Sequence, residues 1–119
     1  MIEAIIALDD KGNVGKGNGL PWPHNSEDMK WFKSITMGKV CVVGHNTAVT
    51  LPLLPGRVVV TMDRDLTPEI LIDRYKSLIV IGGPKTYKQW QPFIDRYYIA
   101  RIRGTYPADT ELKEWAPWI

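Results

Sequence analysis

Leu78-Ile79-Val80-Ile81-Gly82-Gly83-Pro84-Lys85-Thr86-Tyr87 is the stretch whose reading decides the fold. Four apolar residues in succession read as a strand. Gly82-Gly83 ends the strand. Pro84 is tolerated as the first residue of a helix, where its missing N–H has no partner to lose. An amphipathic helix then runs to about Trp90 and stops before Pro92.

The same grammar recurs on either side. Lys39-Val40-Cys41-Val42-Val43 reads as a buried strand closed by Gly44-His45-Asn46-Thr47, a glycine followed by a helix start. That geometry offers backbone N–H groups to an anion. Ile2 to Leu8 is a continuous apolar run consistent with a strand buried on both faces, and Val58 to Thr61 and Arg96 to Ile102 read as two more strands. Asp65 to Arg74 reads as a short helix with Pro68 in its first turn. Strands alternating with helices at this spacing predict an α/β fold, a mostly parallel, twisted sheet with helices on both faces. Ligands of such sheets bind at the carboxyl ends of the strands.

Two segments carry further information. Asp9 to His24 holds Gly12, Gly15, Gly17 and Gly19 and ends in Pro21-Trp22-Pro23, which predicts a long loop, mobile at one end and anchored by Trp22 at the other, suited to a lid. Gly15-Lys16-Gly17-Asn18-Gly19 is no nucleotide motif, since no Gly-Lys-Ser/Thr follows. Asn25 to Thr36 reads as an amphipathic helix. Met29, Trp31, Phe32 and Ile35 form its apolar arc, while Glu27, Lys30, Lys33 and Ser34 face water. Asp28 falls inside the arc. A carboxylate there either serves the helix N-terminus, where the dipole favours it, or meets a ligand, because burial without partners costs several kcal/mol.

At 119 residues the chain predicts one domain with a single core. A 45% apolar and 24% charged composition is ordinary for a globular protein. A net charge of +2 suits an anionic small molecule and is too weak to argue for nucleic acid. No apolar run is long enough for a membrane span, and no signal-peptide pattern opens the chain. Cys41 is the single cysteine, so no internal disulfide can form. A soluble cytoplasmic protein is expected.

Over nearly its whole length the chain resembles dihydrofolate reductase. The residues that carry the resemblance are Ile5 and Ala7, Gly15, Leu20-Pro21-Trp22, Asp28 four before Phe32, Gly44 with Thr47, Leu54-Pro55-Gly56-Arg57, Ile81-Gly82-Gly83 with Tyr87, and Asp109-Thr110. The Pro-Trp pair ahead of the acidic helix is the most specific. The resemblance implies NADPH-dependent reduction of 7,8-dihydrofolate, a hydride going to C6 and a proton to N5, and hence a place in one-carbon metabolism and a target for antifolates. It casts Asp28 as the carboxylate that holds the pterin, with Trp22 and Leu20 beside it under the lid and a water supplying the proton. Ile5, Ala7, Met29, Phe32, Leu51, Leu54 and Ile81 would line the substrate pocket. Arg57 would pair with the α-carboxylate of the glutamate tail, a bidentate task that lysine performs less well. The cofactor would meet Ala7, Val14, Gly15, Asn18, Gly19, Gly44, His45, Asn46, Thr47, Thr61, Arg64, Ile81, Gly82, Gly83, Lys85, Thr86 and Tyr87. No metal is implied.

Several departures from the family pattern have consequences. The family's arginine for the adenosine 2′-phosphate is His45 here, and an imidazole is a weaker partner for that group at neutral pH. Arg64 or Lys85 could compensate. Pro84 replaces a third glycine, and Ala100 replaces the threonine that supports the helix carboxylate. The family's last two strands have no counterpart after Asp109, which predicts a fold truncated at one sheet edge. That would leave the strand Arg96 to Ile102 short of a neighbour and predicts a homodimer paired through that edge, with the tail from Glu111 to Ile119, carrying Trp115, Pro117 and Trp118, as the rival cover. Two other readings stand beside the folate enzyme: the related NADPH-dependent pyrimidine reductase, and a non-catalytic binding or structural module. Trp22, Asp28 and Arg57 argue against both.

Overall fold

The computed structural model describes residues 1–8, 13–15, 26–49, 51, 54–101 and 110–111. In chain order the elements are β1 (Ile2–Leu8), β2 (Asn13–Gly15), α1 (Ser26–Thr36), β3 (Val40–Val43), α2 (His45–Ala48), β4 (Val58–Thr61), α3 (Pro68–Tyr75), β5 (Leu78–Gly82), α4 (Pro84–Trp90), a 3-10 turn (Gln91–Phe93), β6 (Arg96–Arg101) and β7 (Thr110–Glu111). Five strands form one sheet in the order β4-β3-β5-β1-β6. Every pairing in it is parallel. No helix among the described residues is long and apolar enough to cross a membrane.

Period-two alternation divides the apolar runs between two layers. Ile2, Ala4 and Ile6 of β1, Val42 of β3, and Leu78 and Val80 of β5 point to one face, where they pack with Leu71 of α3 and with Tyr87 and Trp90 of α4. Ile5, Cys41 and Ile79 point to the other, beneath Trp31, Phe32 and Ile35 of α1. The predicted apolar arc of α1 is therefore the face it buries. Lys30, Lys33 and Ser34 are exposed, as the periodicity requires. Pro68 opens α3 at its first turn, and Thr67 caps it with a side-chain oxygen that accepts from Ile70 N at 3.3 Å. The start of β1 is stapled to the chain ahead of β6, since Ile2 N donates to Asp95 Oδ2 at 2.8 Å and Asp95 N donates back to Ile2 O at 2.7 Å.

Two expectations need correction. The segment Asp9 to His24 is not loop throughout: β2 lies within it and pairs antiparallel with β7, through Asn13 with Glu111 and Gly15 with Thr110. Strands of three and two residues carry no readable alternation, and their partner is almost a hundred residues away. Nor is the opening run wholly apolar, for Glu3 is buried in β1 at 7% exposure. Its carboxylate meets Lys39 Nζ at 3.0 Å and accepts from the Tyr98 hydroxyl at 2.7 Å. Burial works to raise the Glu3 pKa, but the Tyr98 and Lys39 hydrogen bonds and the Lys39 and Arg96 charges outweigh it and hold the carboxyl below its ordinary range.

Candidate active site

In a parallel sheet the carboxyl ends of neighbouring strands open a crevice where the connections diverge. Here β3 and β5 end side by side in Gly44 and Gly82-Gly83. Gly44 N donates to Gly82 O at 2.7 Å, which locks the two ends together. No side chain could stand between them. A Cβ on Gly44 would collide with Thr86 Oγ1, and one on Gly83 with Thr47 Oγ1. Gly82 has φ +142°, a conformation that side chains disfavour, and the Gly82-Gly83 peptide is cis. Helices α2 and α4 leave from this floor, so its lining is bare backbone flanked by the threonines Thr47 and Thr86.

Tyr87 closes the base of the crevice. It is buried in α4, its N–H donates to Gly83 O at 2.9 Å, and its hydroxyl donates to Ile5 O at 2.7 Å. Burial pushes its pKa well above the ordinary tyrosine value, so the hydroxyl keeps its proton and remains a donor. The Ile5 carbonyl, expected to face the substrate, thus already accepts from the Tyr87 hydroxyl.

The other wall is α1. It packs on the face of the sheet that holds Ile5, Cys41 and Ile79, with Asp28 in its first turn and Thr36 in its last. At about 1.5 Å per residue, Thr36 lies about 12 Å beyond Asp28. Phe32 lies between them, half-buried against Ile5, Cys41 and Ile79, with Ile81 also packed there. Leu51 and Leu54 are half-buried in the connection that leads to β4.

At the far end stands Arg57, half-buried rather than free in solvent. Its Nη1 donates to Thr36 Oγ1 at 3.2 Å and its Nε to Pro55 O at 3.2 Å. Thr36 is fully buried, and its own hydroxyl donates to Phe32 O at 2.8 Å. The turns around this pair are laced together: Gly38 N donates to Gly56 O at 2.9 Å and Val58 N to Lys39 O at 3.2 Å. Gly56 has φ +78°, so the turn that presents Arg57 favours glycine for its backbone, with the exposed side chain of Met37 lying alongside.

The structure therefore brings Ile5, Phe32, Ile81, Gly44, Gly82, Gly83, Thr47, Thr86 and Tyr87 around the crevice and puts Arg57 at the end of α1. His45, Arg64 and Lys85 are exposed, each just beyond the end of a different strand, β3, β4 and β5 respectively. Asn46 is exposed in α2, and Thr61 ends β4 half-buried. Asn18, Gly19, Leu20 and Trp22 lie outside the described residues, as do Trp115 and Trp118. For Ala7, Val14, Gly15, Asp28 and Met29 the backbone alone is described. Sequence reasoning missed Thr36, a polar residue at the end of the apolar side of α1, and the group formed by Glu3, Lys39 and Tyr98.

Comparison with known proteins gives a concordant result. A family model described as dihydrofolate reductase matches residues 1–118. Dihydrofolate reductase type 9 of Escherichia coli is 31% identical over 93% of this chain and 75% of its own length. The dihydrofolate reductase of Bacillus subtilis is also 31% identical, over 97% of this chain and 77% of its own. A solved structure of dihydrofolate reductase from Enterococcus faecalis, complexed with NADP(H) and RAB-propyl, superposes with a TM-score of 0.79 at 30% identity, covering 94% of this chain and 76% of that one. With the strand order, the glycine-floored crevice and the match over residues 1–118 all in agreement, the chain belongs to the dihydrofolate reductase family.

Proposed function

We infer that this chain reduces 7,8-dihydrofolate to 5,6,7,8-tetrahydrofolate with NADPH, and that the residues around the crevice divide the work as follows. The close backbone approach of Gly44 to Gly82 and Gly83, flanked by Thr47 and Thr86, supports a place for a dinucleotide phosphate bridge at this floor, with the Gly44 N–H itself spent on Gly82 O. Tyr87 braces the floor against β1. When bound, the cofactor supplies the hydride. The chain itself orients the pterin, excludes water and supports the proton at N5.

Asp28, in the first turn of α1, holds the pterin edge with a charge-assisted pair of hydrogen bonds and makes the bound ring easier to protonate. Trp22 and Leu20 cover it. Phe32, Met29, Leu51 and Leu54 line the path of the benzoyl group, and Arg57 receives the α-carboxylate. What supports this is the contact of Arg57 with Thr36 at the last turn of α1, eight residues from Asp28 along a helix whose Phe32 packs against Ile5, so that the proposed carboxylate anchor and the cation belong to opposite ends of one apolar helix. That arrangement is the observation that carries the reading. Neither a pyrimidine reductase nor a packing relic has use for both ends. Oxidation of NADPH followed by absorbance tests it: turnover is expected only when dihydrofolate is present, and consumption of NADPH that ignores dihydrofolate would overturn it.

We also propose that two copies pair through the outer edge of β6. Among the described residues no strand lies beyond β6, and Tyr97, Tyr98 and Ile99 run through it half-buried without an interrupting proline. A two-fold pairing would close on itself. Of the rival cover, the tail from Glu111 to Ile119, Glu111 alone is among the described residues, and it pairs with Asn13 of β2. Sedimentation equilibrium at micromolar concentration should give a dimer, and a monomer there overturns the pairing.

A further inference from the structure

We propose that Thr36 is a positioning residue for substrate binding: its buried hydroxyl fixes the Arg57 guanidinium so that one donor edge is kept for the carboxylate of the substrate tail. The inference rests on the tail-anchoring role given to Arg57 above.

A guanidinium carries five N–H donors in a rigid plane and can grip a carboxylate side-on, through Nε and one Nη, or end-on, through both Nη atoms. The protein has already taken the first option away. Arg57 Nε is spent on Pro55 O, and Nη1 gives one of its two hydrogens to Thr36 Oγ1. What remains is the second hydrogen of Nη1 and both of Nη2. The plane cannot swing, because it is held at two points on different segments of the chain, the Pro55 turn and the last turn of α1.

Thr36 suits this task for a chemical reason. A hydroxyl both donates and accepts, and this one donates to Phe32 O at 2.8 Å, which aims its lone pairs away from the helix and toward Arg57. Full burial excludes water as a competing donor. The same bond reports on the pocket wall, since Phe32 is the ring proposed to lie against the substrate. A long cationic side chain left free would lose rotamer entropy each time it met a ligand, and holding it beforehand removes that penalty.

Steady-state kinetics on two substrates test the inference: 7,8-dihydrofolate, which has the glutamate tail, and 6-methyl-7,8-dihydropterin, which lacks it. Arg57→Ala should raise KM for dihydrofolate by about tenfold or more and leave the small pterin unaffected. Thr36→Val, nearly the same shape but without the hydroxyl, should raise KM for dihydrofolate by about fivefold at unchanged kcat, again sparing the small pterin. Thr36→Ser should restore it. Retained activity on the small pterin certifies that each variant is folded. If Arg57→Ala is selective and Thr36→Val harms both substrates alike, Thr36 merely packs and the inference is overturned alone. If Arg57→Ala is itself unselective, the tail-anchoring role falls and takes the inference with it.

Discussion

Beneath α3 and α4, one face of the sheet buries ten described residues in a single cluster, among them Leu71 and Trp90 at 0% exposure. Among the described residues, the face beneath α1 gathers a smaller buried cluster, Ile5, Cys41 and Ile79, and surrounds it with half-buried rings, Trp31, Phe32 and Tyr98. Both faces are apolar, and among the described residues the second is the less finished. Interiors pack to crystal-like density, so apolar groups left half-covered beside a helix mark a surface shaped for something else to complete. On the proposed reading, the first layer holds the molecule together and the second holds the ligand.

The largest test of that contrast is Asp28→Asn on the unfinished side. Turnover at neutral pH should drop by about 10² to 10⁴, the usual worth of acid–base support, while thermal stability changes little. Glu27→Gln, one residue away on the solvent side of the wheel, should be nearly silent. Steady-state rates of the two variants decide it, and damage from Glu27→Gln instead would reverse the assignment of the helix faces. The mirror experiment is Leu71→Ala. Removing a fully buried leucine from the finished side should cost about 2–5 kcal/mol in urea unfolding. Activity per folded molecule should remain, so a Leu71→Ala protein that folds well but turns over slowly would show that the two layers are not separable.

Much of this contrast was legible beforehand, because it depends on local pattern. Apolar runs at Ile2, Val40, Val58, Leu78 and Arg96 located the five sheet strands to within a residue or two. The 3.6-residue period of Asn25 to Thr36 put Trp31, Phe32 and Ile35 on the buried side. Glycines after two of the strands marked the crevice floor. What escaped was the pairing of groups distant in sequence. The β2–β7 ladder joins Gly15 to Thr110, and the Arg57 anchor joins residues 21 apart. No periodicity speaks to such contacts. Glu3 escaped for another reason: a single charge in an apolar run reads as a flank until Lys39 and Tyr98 are seen to satisfy it.

Glu3 sharpens the comparison from the side of stability. It shares the face of Ile5 but lies near the amino end of β1, away from the carboxyl ends of the strands, so it should matter to folding and not to chemistry. Its carboxyl pKa in the folded protein lies below the ordinary 4.5. A depressed folded pKa contributes stability that is present above the unfolded value and is lost as pH falls through the folded one. Glu3→Gln should therefore lower stability at pH 7 by about 1–2 kcal/mol, within the range for charge-assisted hydrogen bonds partly open to solvent at Lys39. Below about pH 4 the difference should shrink. Urea midpoints across pH measure this, and a difference that persists undiminished at acid pH would mean the loss is packing rather than charge.

The smallest expected effect lies at the corner where the crevice meets β4. Met62 N donates to Val43 O at 2.8 Å, so the ends of β3 and β4 run together and bring the residues that follow them into one neighbourhood. His45 stands there exposed, with Asp63 and Arg64 on the adjoining turn. Asp63 turns its carboxylate inward to accept from Asp65 N at 2.8 Å and Leu66 N at 3.1 Å, which keeps an unfavourable charge partly neutralised by backbone donors. A 2′-phosphate in this corner would find an imidazole where a guanidinium would grip it with two parallel hydrogen bonds. His45→Arg should then tighten NADPH by about three- to tenfold at pH 7, the scale of one exposed charge-assisted contact, and leave NADH unchanged. Raised salt should erase most of the gain, because the contact is solvent-exposed. Fluorescence titration with both dinucleotides separates the outcomes. Equal tightening of NADH would mean the new charge acts on the phosphate bridge common to both cofactors. No change in either would assign the 2′-phosphate to Arg64 or Lys85, on the turns that follow β4 and β5.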